Sequence, residues 1–142
     1  MSSNTINLSE GIEKFNLVFT DRDEAVTIEF NPSDTDILMR IEKSRENIEK
    51  ALAEIPKDET DSAKAVMLAG NIIRQEIDYI FGSKISDKVF MYCSPLALNA
   101  SGITFAERFL AAVTPHIQSR INDANRASAE RIAKHTAKYT KK

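Results

Sequence analysis

Two stretches near the N-terminus alternate apolar and polar residues at the two-residue period of a strand, and no convincing stretch after Pro32 does. Residues 15–20 (FNLVFT) set Phe15, Leu17 and Phe19 against Asn16, Val18 and Thr20. Residues 25–30 (AVTIEF) set Val26, Ile28 and Phe30 against Thr27 and Glu29. Asp21-Arg22-Asp23-Glu24 between them is a polar connection of hairpin length. Beyond Asn31 the apolar residues recur at three, four and seven, the spacing of helices. With four glycines and four prolines in 142 residues, little turn material remains for more strands. The expected fold is mainly α with a small N-terminal β-hairpin (α+β), an antiparallel helical bundle of about four helices ending in a long, kinked C-terminal helix. Two strands alone are marginal in water, so the hairpin must lay its apolar face on helices or on a neighbouring molecule. Its outer edges remain free to extend a sheet across subunits.

The whole length reads as a single domain, 1–142. Residues 1–13 are polar and expected to be flexible, 15–30 form the hairpin, 32–121 the helical core, and 122–142 a basic C-terminal helix or tail. Pro32 suits a first helical turn, Ser33 or Asn31 can cap it, and Asp34 and Asp36 complement the positive helix end. That helix should run to about Ile55, burying Ile37, Leu38, Ile41, Ile48, Ala51, Leu52 and Ile55, with Ser44 inside the stripe. A charged linker at 56–61 (PKDETD) separates it from a helix over 62–81 that should bury Val66, Met67, Gly70, Ile73, Ile77 and Ile80. Ile72, Tyr79 and Phe81 fall off that stripe. Gly82 should terminate the helix. A short amphipathic piece at 83–91 and a turn-rich loop at 92–102 follow. Thr104 with Glu107 forms a capping box for a helix carrying Phe105, Phe109, Val113 and Ile117. Pro115 should kink or restart it, with Thr114 as a new cap.

The net charge of −2 hides an asymmetry. Residues 126–142 hold six bases against one acid, so the remainder stands at −7. A basic end on an acidic body suits a solvated helix, an acidic protein partner or nucleic acid; one interleaved aromatic, Tyr139, makes nucleic acid the weakest of the three. No run approaches the length of a membrane span, and no basic-then-apolar leader opens the chain. One cysteine, Cys93, leaves no internal disulfide and fits a reducing compartment, so a cytoplasmic location is expected.

Nothing in the sequence assembles catalytic chemistry. Asp34 and Asp36 lack the further oxygen ligands a metal needs, and Asp21, Asp23 and Glu24 lack the glycine and distal glutamate of a calcium loop. His116 and His135 have no acid at triad-like spacing, and Cys93 has no local base. No catalytic residue, no metal site and no cofactor is expected. What stands out is a cluster of large apolar side chains between 77 and 92, followed by Phe105 and Phe109. Ile77, Tyr79, Phe81, Phe90 and Met91 are therefore the candidate partner contacts, because aromatics and methionine suit adaptable docking surfaces.

The order of segments carries a resemblance. A short hairpin precedes Phe30-Asn-Pro-Ser-Asp-Thr-Asp-Ile37; Ile77-Asp-Tyr-Ile-Phe-Gly82-Ser, Ser94-Pro-Leu96 and a basic Lys138-Tyr-Thr-Lys-Lys142 follow. Over roughly residues 15–142 this resembles the small tail-assembly chaperones of long-tailed bacteriophages and prophages of Gram-positive bacteria. The resemblance implies a non-catalytic role in the host cytoplasm. Such a protein would bind and solubilise the tape-measure protein, help recruit the tail-tube protein, associate with itself and be absent from the virion. Two other readings remain open at this point: a structural head-tail connector or tail-completion protein, and a small nucleic-acid-binding regulator using the basic C-terminus.

Overall fold

The computed structural model describes residues 4–55 and 62–140. Strands β1 (Glu13–Phe19) and β2 (Glu24–Phe30) pair antiparallel, Phe15 opposite Ile28 and Leu17 opposite Val26. β1 begins two residues before the alternation suggests, because Glu13 and Lys14 still find Phe30 and Glu29 across the ladder. The Arg22 amide closes the turn onto the Phe19 carbonyl at 3.1 Å. On β2, Val26, Ile28 and Phe30 are buried; on β1, Phe15, Leu17 and Phe19 are only half-buried. The hairpin thus lies on the helices with β2 inside and β1 toward the rim.

Helix α1 (Asp36–Ala53) begins later than expected. Pro32 and Ser33 precede it, and Thr35 is the N-cap without a side-chain cap bond. Asn31 Oδ1 instead accepts from the Ser33 amide at 2.9 Å and Asp34 Oδ1 from the Asp36 amide at 3.0 Å, so two side-chain turns lead the chain in. Ile37, Ile41, Ser44, Ile48 and Ala51 are buried as the stripe requires, while Leu38, Leu52 and Ile55 are half-buried. The linker expected at 56–61 lies outside the described residues.

α2 (Ser62–Phe81) runs antiparallel to α1. The Arg40 Nε donates to the Ile80 carbonyl at 2.8 Å and Asn47 to Glu76 at 3.0 Å, which fixes that direction. Ala69, Ile73, Ile77, Ile80 and Phe81 are buried. Val66 and Met67, expected in the core, are exposed, and Gly70 is half-buried. Burial starts at Ala69, so the first turns of α2 run ahead of the packed body. Gly82, at φ +69°, ends the helix in the left-handed conformation glycine adopts without strain. The short α3 (Ser86–Val89) is tied to α2 by Asp78, whose carboxylate accepts from the Ser86 amide at 2.8 Å and hydroxyl at 3.0 Å.

α4 (Phe105–Thr140) is one helix of 36 residues, about 54 Å long at 1.5 Å per residue. Its capping box forms as expected: the Glu107 amide donates to Thr104 Oγ1 at 3.2 Å, and the Thr104 amide donates to Glu107 Oε2 at 2.8 Å. Pro115 lies inside the helix without ending it, and Thr114 is not a second cap. Its hydroxyl bonds back to the Leu110 carbonyl at 2.6 Å, the i−4 contact of a residue within a helix. Ala106, Phe109, Val113, Ile117 and Ile121 are buried. Past Ile121 the described side chains are exposed except half-buried Ser128.

One core joins Ile28 and Phe30 of the hairpin to Ile37, Ile41 and Ile48 of α1, Ile73, Ile77 and Ile80 of α2, and the proximal half of α4. Among the described residues no helix is long and apolar enough to cross a membrane.

Candidate functional site

The five residues singled out as partner contacts divide into two sets. Ile77, Phe81 and Phe90 are core: Phe81 packs edge-on against Phe30 and beside Phe109, ring centroids 4.9 and 5.7 Å apart, and Phe90 meets Phe105 at 6.0 Å. In the folded subunit they are closed to a partner, because a small body with few aromatics needs them inside. Tyr79 and Met91 are exposed.

Tyr79 does not stand alone. Leu68, Ile72 and Tyr79 are 53%, 39% and 46% exposed. Their spacings of four and seven put them on one side of α2. The buried set Ala69, Ile73, Ile77 and Ile80 occupies another side, so α2 carries two apolar stripes, one sealed and one open. Gln75, at the position between Ile72 and Tyr79, is polar but uncharged. The second stripe spans about 16 Å at the helical rise. Leu68 escaped the sequence reading; the four-and-seven spacing that includes Ile72 and Tyr79 was the signal that could have found it.

A second apolar surface lies between the hairpin and α4. Phe15, Leu17 and Phe19 of β1, with Ile28, face Phe105, Phe109, Ala112 and Val113 across a groove of about 360 Å³. At one end the Phe19 ring stacks on Phe105 at 6.3 Å and meets Tyr92 edge-on at 5.3 Å. At the other end Arg120 Nη1 donates to the Glu13 carboxylate at 2.6 Å. β1 therefore runs against the direction of α4.

Arg108 and His116 also line the groove, and Arg108 brings a positive charge to it. Arg108 lies over the Phe105 ring at 5.4 Å and donates from Nη2 to the Ala97 carbonyl at 3.0 Å, while its buried Nε has no protein partner. Sequence periodicity could not reveal this groove, since its two walls are about ninety residues apart in the chain.

Two further groups, Asp34 and Tyr92, are shifted by their neighbours in the fold. Burial raises the Asp34 carboxyl, but the Arg40 hydrogen bond, the Asp36 amide and the Arg40 charge outweigh it and hold the pKa below its ordinary value. A hydrogen bond with Glu24 raises the Tyr92 phenol, helped by partial desolvation. Among the described residues no three His, Cys, Asp or Glu side chains group as metal ligands. Cys93 is a half-buried free thiol. Apolar docking is what this arrangement of residues can do.

A family model described as a family of unknown function (DUF6673) matches residues 24–142. No curated protein and no solved structure matches the chain.

Proposed function

The chain belongs to this family of unknown function, and on that premise we propose that it is a non-catalytic assembly chaperone whose open α2 stripe shields an apolar helix of a client protein. The observation that carries the reading is the row Leu68, Ile72 and Tyr79, left open on a helix whose other stripe is already sealed into the core. A client helix with anchors at the same spacing can lay its own apolar face along that row. The resemblance in segment order supplies the client class, the tape-measure protein of a long-tailed phage, with recruitment of the tail-tube protein as the next step in assembly.

The energetics favour many weak contacts over one strong one. At roughly 25 cal/mol per Å², each kilocalorie per mole needs about 40 Å² of apolar surface removed from water. Three partly exposed side chains hold a client modestly, and several copies along one long client supply avidity. Self-association would set those copies in a row.

Co-expression with a tape-measure protein of a long-tailed phage tests the reading. The wild-type chain should keep the client soluble and co-purify with it. The triple variant Leu68→Ser, Ile72→Ser, Tyr79→Ser should stay folded and lose both effects. A variant that still solubilises the client defeats the proposal. So does finding the protein in purified virions, which favours a structural connector instead.

A further inference from the structure

Among the described residues, two apolar features away from the α2 stripe complement one another. The first is an arm ahead of β1. Residues 4–12 have no regular secondary structure, and Ile6 and Leu8 are 82% and 90% exposed. Spaced two apart, they would project from the same face of an extended strand. The second is the groove between β1 and α4. Its wall includes five consecutive residues of β1, Phe15 to Phe19, and among the described residues β1 pairs with β2 alone, so its other edge is open.

We propose that the arm of one copy adds as a third strand to the open edge of β1 in a second copy, with Ile6 and Leu8 seated between β1 and α4. An open edge offers unpaired backbone groups, and alternate side chains of the incoming strand reach the pocket beside it. Charge favours the same occupant. Residues 4–12 contain Glu10 and no base, while Arg108 brings a positive charge to the groove. Arg108 brings a buried Nε with no protein partner to that wall.

Exchange between copies follows from where the arm departs. Gly11, at φ +78°, turns the chain beside Asn31, and Glu10 and Ile12 lie along Glu29, Phe30 and Asp34. In its own subunit the arm leaves past the end of β2, away from the open edge of β1. Two copies can exchange arms reciprocally, which closes a two-fold dimer. This dimer is independent of what α2 holds.

Sedimentation of the full chain, followed by cross-linking, tests the exchange. The wild type should show a monomer–dimer equilibrium. The arm variant Ile6→Ser, Leu8→Ser and the groove variant Ala112→Lys, both at exposed positions, should each weaken the dimer at least about tenfold with an unchanged far-UV spectrum. In a Cys93→Ser background, mixed chains of different size carrying Leu8→Cys and Ala112→Cys should form a disulfide between chains. A wild type that is monomeric at every concentration overturns the proposal. A dimer indifferent to the arm variant, or a disulfide confined to one chain, does so equally.

Discussion

Glu13 and Arg120, 107 residues apart in the chain, meet at 2.6 Å, the guanidinium Nη1 donating to both carboxylate oxygens. Both side chains remain substantially exposed, so as an isolated surface pair the contact adds little stability. Its consequence is positional. It fixes the start of β1 along α4, while Phe19 on Phe105 fixes the end, and the half-buried residues between those two points become the wall of a groove.

The core and the open stripe should separate cleanly under mutation. Ile77→Ala removes a fully buried side chain and should cost about 2 to 5 kcal/mol. Tyr79→Ser, two residues on, should change stability by no more than about 0.5 kcal/mol. Urea denaturation of both variants checks this, and client co-purification should fall only for the folded Tyr79 variant.

Ser44 is fully buried within the apolar stripe of α1, and its hydroxyl has no protein partner. Removing an unsatisfied buried hydroxyl and gaining a better helix former both favour alanine. Ser44→Ala should stabilise the protein by about 1 kcal/mol in chemical denaturation, and a loss of stability would mean the hydroxyl is satisfied.

Asp34 bonds Arg40 at 2.8 Å and caps the turn into α1. Its folded pKa is lowered, so its contribution is present above the unfolded value of 3.8 and is lost as the pH falls through the folded value. With the carboxylate about a third exposed and screened, Asp34→Ala should cost about 1 to 2 kcal/mol near neutrality. Denaturation curves from pH 7 to 2 should show the gap to wild type narrowing below about pH 4.

Pro115 is exposed within α4, where a proline removes one backbone donor and crowds the preceding turn. Pro115→Ala should raise stability by about 1 to 3 kcal/mol, read as a higher Tm in circular dichroism.

The distal half of α4 should be dispensable for folding. Deleting residues 126–142 removes no described side chain that is fully buried, so stability should shift by no more than about 0.5 kcal/mol. A large loss in thermal melting would show that this segment packs on the body.

The capping box at Thr104 was legible because its two partners are three residues apart, and Gly82 because a helix end needs a left-handed residue at one position. The start of α1 was less so. Proline and serine both suit a first turn, yet the side chains of Asn31 and Asp34 captured the local amides and delayed the helix to Asp36. Val66 lies on the same side of α2 as Ile73, Ile77 and Ile80 but ahead of the packed body, which periodicity does not measure, while Met67 lies off that side.

Local spacing determined the hairpin, the helices and which stripe of each was apolar, because those properties repeat over two to seven residues. Which apolar residues stay open was decided only in three dimensions. Phe81 and Tyr79 both fall off the buried stripe of α2 in one dimension; the packing of the hairpin and α4 seals Phe81 against Phe30 and Phe109 and leaves Tyr79 in solvent. The groove likewise exists only because β1 and α4 are brought side by side, a juxtaposition that short-range patterning does not encode.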